Sequence, residues 1–434
     1  MVDAPDNLTT ANALLKIRYA PNLTNAISEI NILQKRVDFS LSQTGLGQKY
    51  VMPFLGGREQ GITCLGQTDS NNTLNPSAPP TFQFASLVGS AYAVNATVTQ
   101  QIIDASAQPE VSFYPIVDMI MENLIISASK QIECGLLHGG TGLCTVLGEA
   151  ATTTYTVTLN IDPATWAGAM WTGEDGVNGK QLDAYVGSAQ VNTPGTPFIV
   201  QQVVQSPTAP QLVLRSTSSA DIAALVTAAG TQDAVKLFGF GFYGKEMVGL
   251  TAIQQNTGNL FGIDASTTGL WKANQFPANG NLTADKLNDA VAQAVNVGAL
   301  DENVTCMVNP YTWSKLMNTA LTVQRRIDDS YSPKIIANGT RELEFVSQNG
   351  TMEIVAHPYV HQGVAHILPF NQLVRVGSSE LKLLSNSGRG SNNVGDLLWP
   401  ITDTVNYQIK SWTNQAVMIK EPAKTVLITG IVNS

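Results

Sequence analysis

The most regular pattern of apolar and polar residues in the chain lies between residues 110 and 142. Apolar side chains recur there at spacings of three and four, which predicts an amphipathic helix. They are Val117, Ile120, Met121, Leu124, Ala128 and Ile132. Pro115 suits a first helical turn, where its missing N–H costs nothing, and Gly139-Gly140 suits a C-terminal stop. We therefore predict a helix of about 23 residues and about 35 Å, either an ordinary core helix or a rod around which other domains are arranged.

Two runs of alternating apolar and polar residues precede this helix and predict a long β-hairpin. They are KYVMPFL (49–55) and TFQFASLVGSAYAVNATVTQ (81–100), joined by a tip rich in glycine, asparagine and proline. A two-stranded hairpin has no core of its own and is marginal alone. We therefore expect it to be buried on a neighbouring subunit, with Phe54, Phe82, Phe84 and Tyr92 as intersubunit contacts. The sequence of residues 1–40 predicts a polar N-terminal arm, which also needs a surface on which to dock.

The pattern changes twice after the predicted helix. Between 152 and 248, short period-two runs separated by turn residues predict an inserted β-barrel or β-sandwich, with Trp166 and Trp171 filling its core. From 249 to 390 the pattern is α+β. One helix is expected from the N-cap Thr283 to Gly298, and a second after Asn309-Pro310. The last segment, 391–434, alternates over a long span and predicts extended strands.

Composition adds a hint of self-association. Of the 434 residues, 44% are hydrophobic and only 13% are charged, about half the usual charged share. Charged residues are depleted where protein surfaces contact each other. The net charge of −9 and the pI near 5.0 argue against tight nucleic-acid binding. We find no signal peptide, no apolar run long enough for a bilayer and no C-x-x-C spacing, so we expect a cytosolic protein with reduced thiols and no membrane partner.

No motif indicates an active site. His357 and His361 have the spacing of a helical metal pair, but Pro358 and the strand-like context spoil that helix, and the remaining ligands are missing. Hydrogen-bonded structural histidines are the expectation. The GGTG turn lacks the phosphate-loop pattern, and there is no G-x-S-x-G elbow. We therefore predict no catalytic residue, no cofactor and no metal, and hence a protein that is not an enzyme.

One charged cluster is a candidate interface. The cluster consists of Arg325, Arg326, Asp328 and Asp329. It is either an ion-paired subunit contact or a solvated turn.

The predicted order is arm, hairpin, long helix, glycine turn, β-insertion, α+β domain and C-terminal strands. Eight stretches then supply sequence motifs: VTQQIIDAS (98–106), LLHGGTG (136–142), WAGAMWTGEDGVNGKQLDAY (166–185), EMVGLTAIQQNTGNLFGID (246–264), MVNPYTWSKL (307–316), QRRIDDSY (324–331), MEIVAHPYVHQGVAHILP (352–369) and VRVGS (374–378). Together they resemble the major capsid protein of tailed bacteriophages, whose fold is often called the Johnson fold. The resemblance spans roughly residues 30–434. It rests on the shared order, since each motif alone is degenerate.

The resemblance implies an α+β, Johnson-type fold with an added β-module, divided into six parts. These are an N-terminal arm (1–40), an extended E-loop hairpin (41–100), a P-domain with the spine helix (101–151), the inserted β-module (152–248), an A-domain with P-domain return segments (249–390) and C-terminal P-domain strands (391–434). It further implies hexamers and pentamers that assemble into an icosahedral head around double-stranded DNA without sequence-specific binding. A separate scaffolding protein and a portal would assist assembly, and a decoration or cement protein is allowed. The resemblance also implies that the protein is made in the cytoplasm of the bacterial host and resides in the virion.

Two alternatives to a virus shell stay open. An encapsulin-like nanocompartment is the nearest, although encapsulins tend to be shorter and to lack a large β-insertion. An extracellular β-rich surface protein or adhesin would explain the low charge, but it predicts a secretion signal. An enzyme would need a convergent set of titratable groups, and the sequence shows none.

Overall fold

The structure of the protein is a computed structural model that describes residues 31–40, 49–66, 74–106, 116–230, 235–324, 343–347, 350–385, 397–402 and 404–433. The chain divides into a larger unit, formed by 29–92, 128–382 and 412–434, and a smaller unit, formed by 1–28, 93–127 and 383–411. Structural statements below concern the described residues of each unit.

The described residues of the chain form both helices and strands. The helices are α1 (Ile32–Arg36), α2 (Gln100–Ser106), α3 (Ile116–His138), α4 (Ser219–Gly230), α5 (Leu250–Gln255), α6 (Ala284–Gly298) and α7 (Pro310–Gln324). The strands are β1 (Phe39–Ser40), β2 (Lys49–Leu55), β3 (Phe82–Val88), β4 (Ser90–Thr99), β5 (Cys144–Thr152), β6 (Thr156–Ile161), β7 (Gln181–Val186), β8 (Ala189–Gln190), β9 (Phe198–Val204), β10 (Gln211–Arg215), β11 (Val235–Gly239), β12 (Asn259–Leu260), β13 (Ile263–Asp264), β14 (Asn274–Gly280), β15 (Val304–Val308), β16 (Leu343–Ser347), β17 (Gly350–Ala356), β18 (Ala365–Leu368), β19 (Leu373–Leu383), β20 (Trp399–Pro400), β21 (Asn406–Ile419) and β22 (Val426–Ile431).

The predicted long helix is present as α3, with 23 residues. It begins directly after Pro115 and ends at His138, where the glycine turn follows. Gly140 and Gly142 take positive φ values of 80° and 89°, which glycine adopts without steric cost. Gly139 has a different role, because a Cβ atom there would overlap the carbonyl oxygen of Met247. The end of the helix is thus in direct backbone contact with the 247–249 segment.

The inserted β-module is a small closed barrel in the larger unit. Its strands follow the order β5-β6-β10-β9-β7-β11, and β11 pairs with both β7 and β5, which closes the sheet; β8 extends β7 outside the ring. Trp166 and Trp171 are 2% and 1% exposed and stack with ring centroids 5.7 Å apart. The two rings are buried in the main apolar cluster of the larger unit. The prediction of a β-module is confirmed by the closed barrel, and the placement of the two tryptophans in its interior stays a prediction, whereas the helix α4, between β10 and β11, was not predicted.

A six-stranded mixed sheet forms a second layer of the larger unit. Its order is β14-β22-β18-β15-β17-β16, and α6 buries its apolar stripe in the same cluster. The helix starts as predicted, because the Thr283 hydroxyl accepts a hydrogen bond from the Lys286 N–H at 3.4 Å. The Asn309 side chain likewise accepts from the Tyr311 N–H at the start of α7. The N-cap residues read from the sequence therefore set both helix starts.

The smaller unit has an apolar cluster of its own, formed by Val98, Val117, Leu124 and Ile409. In it, β20 pairs antiparallel with the start of β21, and the Trp399 indole N–H donates to the carbonyl oxygen of Leu384 at 3.1 Å. The spacing of Val117 and Leu124 is the helical stripe identified in the sequence. That stripe therefore serves as a core contact of the first half of α3.

Candidate subunit interface

The strands β2 and β3 form the predicted hairpin, and their register divides its side chains between two faces. Tyr50 pairs with Leu87, Phe54 with Gln83, and Pro53 with Phe84. Because paired residues of an antiparallel ladder point to the same side, Phe54 and Phe84 lie on opposite faces. This register decides which of the predicted contact residues can reach another subunit.

The inner face is packed against the hairpin's own chain. Phe54 is only 8% exposed, and its ring meets that of Trp271 edge-on, with centroids 4.9 Å apart. Ala85 and Leu87 are buried in the same cluster, which includes Ile263. The main chain adds a hydrogen bond, from the N–H of Ser86 to the carbonyl oxygen of Phe261, at 2.7 Å. The sequence argument that the hairpin lacks any core within its own subunit is thus wrong for this face.

The outer face is apolar and exposed. Its large side chains are Val51 (52% exposed), Leu55 (52%), Phe82 (67%), Phe84 (64%) and Val88 (54%). A fully exposed phenylalanine presents on the order of 200 Å², so the two phenylalanines alone expose about 260 Å² of apolar surface. Together with the three aliphatic side chains beside them, these rings form a contiguous apolar face of the kind that marks an interaction site.

The apolar exposure continues beyond the strands towards the hairpin tip. Ile62 and Leu74 are 77% and 72% exposed. Where the two strands end towards the tip, a groove of about 460 Å³ lies between Gly56, Thr81 and the 267–270 segment. The hairpin therefore carries exposed apolar side chains along its described length, with a recess at the tip end of its strands.

Tyr92 does not belong to this outer face. It is 8% exposed, and its hydroxyl oxygen accepts a hydrogen bond from the N–H of Met247 at 3.1 Å. Burial raises the pKa of this phenol above its ordinary value. The structure corrects the prediction for Phe54 and Tyr92, because both side chains are enclosed by their own subunit and are unavailable to a neighbour.

Phe82 and Phe84 stay candidates for intersubunit contact. Sequence reasoning missed Val51, Leu55 and Val88. Their signal was the period-two alternation that places every second residue of β2 and β3 on one face. The predicted cluster Arg325, Arg326, Asp328 and Asp329 lies outside the described residues.

All four histidines of the chain are buried in the larger unit. The rings of His138 and His361 stack with centroids 3.7 Å apart. One ring nitrogen of each hydrogen-bonds to a main-chain carbonyl oxygen, that of Tyr359 at 2.7 Å and that of Leu143 at 3.0 Å. His366 contacts the Gln254 side-chain oxygen at 2.6 Å. His357 and His361 are hydrogen-bonded core residues on separate partners, so their spacing does not bring them to one point.

Burial sets the charge state of these rings. It lowers the pKa of His138 to about 4 and that of His366 to about 3, and it lowers the pKa of His361 well below its ordinary value. These three rings are therefore neutral at neutral pH. Within the described ranges, no three His, Cys, Asp or Glu side chains are placed to hold a metal ion. None of the helices described here is long and apolar enough to cross a membrane.

Comparison with known proteins shows the fold. No protein-family model matches the chain, and no curated protein matches its sequence. Solved structures do match over nearly the whole chain. The capsid asymmetric unit of cyanophage A-1(L) has a TM-score of 0.57 at 11% identity and covers 98% of this chain and 99% of its own. The capsid of the native GTA particle has a TM-score of 0.51 at 10% identity, with 99% and 100% covered.

These likenesses confirm the fold class that the sequence predicts. The chain has the α+β, Johnson-type fold of phage capsid subunits, with a closed barrel between the spine helix and the α+β layer. At such low identity the comparison establishes the architecture and leaves function to be argued from the surface of the molecule.

Proposed function

We propose that this chain is the major capsid protein of a tailed bacteriophage, which assembles as hexamers and pentamers into an icosahedral head around double-stranded DNA. The observation that carries the proposal is the outer face of the hairpin, an exposed apolar surface on a chain whose fold is that of capsid subunits. A structural role follows, with assembly in place of catalysis.

The hairpin is suited to heterologous contact. Its inner face is fixed to the subunit by Phe54, so its outer face is held in a defined direction with little loss of freedom on binding. Burying the about 260 Å² of Phe82 and Phe84 against a neighbour is worth at most about 6 kcal/mol. Head-to-tail contacts between copies form a ring when the rotation from one copy to the next closes on itself. Many such rings together form a shell.

The six predicted divisions keep their roles in this proposal. Residues 41–100 are the extended loop, 101–151 and 391–434 belong to the P-domain, and 249–390 is mainly the A-domain. The arm (1–40) and the charged cluster at 325–329 are further candidates for intersubunit contact. The barrel belongs to the inserted module, predicted at 152–248.

The partners follow from the assembly that is proposed. A separate scaffolding protein and a portal would act during assembly, and a decoration protein is allowed. A net charge of −9 fits a container that confines DNA mechanically, because tight phosphate binding requires a basic surface. The protein would be made in the bacterial cytoplasm and reside in the virion.

Negative-stain electron microscopy of the purified recombinant protein tests the proposal, with and without a co-expressed scaffolding candidate. Closed shells, or rings of five or six subunits, are the expected result. A uniform monomer under every condition would contradict it.

A further inference from the structure

A buried carboxylate in the larger unit joins α3 to α1. The carboxylate of Glu133 on α3 is completely buried. Its two oxygens accept hydrogen bonds from the main-chain N–H groups of Leu33 at 2.6 Å and Gln34 at 3.2 Å. These are N–H groups of the first turn of α1, which have no partner within the helix itself. An ionised carboxylate is the acceptor that suits them best.

His357 supplies a third donor to the same carboxylate. Its Nε2 lies 3.0 Å from a carboxylate oxygen of Glu133, and its Nδ1 accepts from the N–H of Tyr359 at 3.2 Å. An Nδ1 that accepts carries no proton, so the ring is neutral with its one proton on Nε2. Adding a proton to Nδ1 would place two N–H groups against each other. Adding one to Glu133 would take an acceptor from three buried donors.

The remaining contacts of α1 depend less on charge. Leu33 is 2% exposed and packs in the main core, and the Gln34 side chain donates to the carbonyl oxygen of Ser129 at 2.7 Å. Arg36 forms a two-point ion pair with Glu353 at 2.6 and 2.8 Å. That pair is about one-third exposed on each side, where ion pairs stabilise little. Glu133 is therefore the charged group on which docking of α1 depends.

The neighbouring Cys134 and Tyr359 stay uncharged between neutral and mildly acidic pH. Burial raises the pKa of Cys134 to about 11 and raises that of the Tyr359 phenol. Arg375, on β19, is a buried cation that contacts the Gln34 carbonyl oxygen at 3.4 Å and pairs with Glu380, with Asp38 in its surroundings.

Groups farther away complete the electrostatic environment. Lys130, on α3, is turned to Glu174. His138 interacts electrostatically with His357 from the end of α3, and burial lowers the pKa of His138 to about 4. Glu133 and His357 are therefore the pair whose hydrogen bonds at α1 depend directly on where their protons lie.

We propose that Glu133 and His357 form an acid-sensitive latch that holds α1 against the larger unit at neutral pH and releases it when either group gains a proton. The latch fixes the position of α1 in the larger unit. The proposal does not rest on shell assembly.

Hydrogen–deuterium exchange of the full-length protein tests the latch at about pH 7.5 and about pH 4.5, with rates corrected for intrinsic exchange. Peptides covering 31–37 report on α1, and peptides covering β15 serve as a core reference. We expect the protection of 31–37 to fall about tenfold or more in acid, the loss expected from one charged hydrogen bond. The β15 reference should not change.

Two carboxylate-to-amide variants, one at each of two carboxylates that contact α1, locate the effect. Glu133→Gln should lower the protection of 31–37 at pH 7.5 to the acid value and remove the pH response. Glu353→Gln, which removes the exposed partner of Arg36, should keep the wild-type pH profile.

Several results would overturn the proposal. Equal protection of 31–37 at both pH values would do so without any variant. A parallel loss in β15 would show general unfolding. A Glu133→Gln protein with wild-type protection and pH response, or a Glu353→Gln protein without that response, would place the effect elsewhere.

Discussion

The two faces of the hairpin allow a matched pair of substitutions to separate folding from assembly. Phe84 is 64% exposed on the outer face, and Phe54 is 8% exposed on the inner face. Both are phenylalanines in neighbouring strands of one hairpin. Phe84→Asp should leave the subunit folded and prevent its assembly, whereas Phe54→Asp should disrupt the packing of the hairpin on its own subunit.

The magnitudes follow from exposure. Substitution at an exposed site such as Phe84 changes the free energy of unfolding by about 0.5 kcal/mol or less. Its roughly 130 Å² of apolar surface is worth about 3 kcal/mol when buried on a neighbour, or more than about a hundredfold in each contact constant. At Phe54, removal of the ring that meets Trp271 costs about 3–5 kcal/mol, and the buried charge adds to that cost.

Thermal unfolding and size-exclusion chromatography of the two variants, followed by electron microscopy, measure both effects. For Phe84→Asp we expect a melting temperature close to wild type and a loss of shells or rings. For Phe54→Asp we expect a lower melting temperature or insoluble protein. Normal shells from Phe84→Asp, or a folded and stable Phe54→Asp subunit, would refute the assignment of the two faces.

Three further predictions concern stability within the subunit. Gly139→Ala should destabilise by about 1–3 kcal/mol in denaturant unfolding, since its Cβ would overlap the Met247 carbonyl. Gly148→Ala, which places a Cβ in open space, should cost little by comparison, and equal effects would contradict the close approach. The depressed pKa of His138, about 4 when folded against an ordinary 6.5, means that the unfolded chain binds the proton more tightly. Stability should therefore be full above about pH 6.5 and fall by about 3 kcal/mol as the pH drops to about 4, a loss that His138→Gln should reduce; an unchanged slope would be inconsistent with this cause. Thr283→Ala, which removes an N-cap acceptor, should cost about 1 kcal/mol, and no change in unfolding midpoint would argue against the cap.

Local rules in the sequence were sufficient to predict where two helices start. Thr283 and Asn309 each act within one turn of their own position, so neighbouring residues determine the outcome. The helix α4 was not predicted because its sequence, SADIAALVTAAG, is short and lies between strand patterns. Its apolar spacing of three and four is easily overlooked there.

The faces of the hairpin could not be assigned from sequence, although the hairpin itself could. A long tip leaves the strand register unspecified, and a shift of one residue moves every side chain to the other face. Only the pairing of Phe54 with Gln83 and of Pro53 with Phe84 separates the buried from the exposed phenylalanine. The contact between the inner face and Trp271 joins residues more than two hundred positions apart, and no local pattern predicts such a contact.

Cryo-electron microscopy of the particles or rings formed by the recombinant protein tests the central claim most directly. The account predicts copies arranged in fives and sixes, with Phe82 and Phe84 of each hairpin packed against a neighbouring subunit and Phe54 still packed against Trp271 of its own. A protein that stays monomeric, or an assembly in which the outer face of the hairpin remains open to solvent, would contradict it.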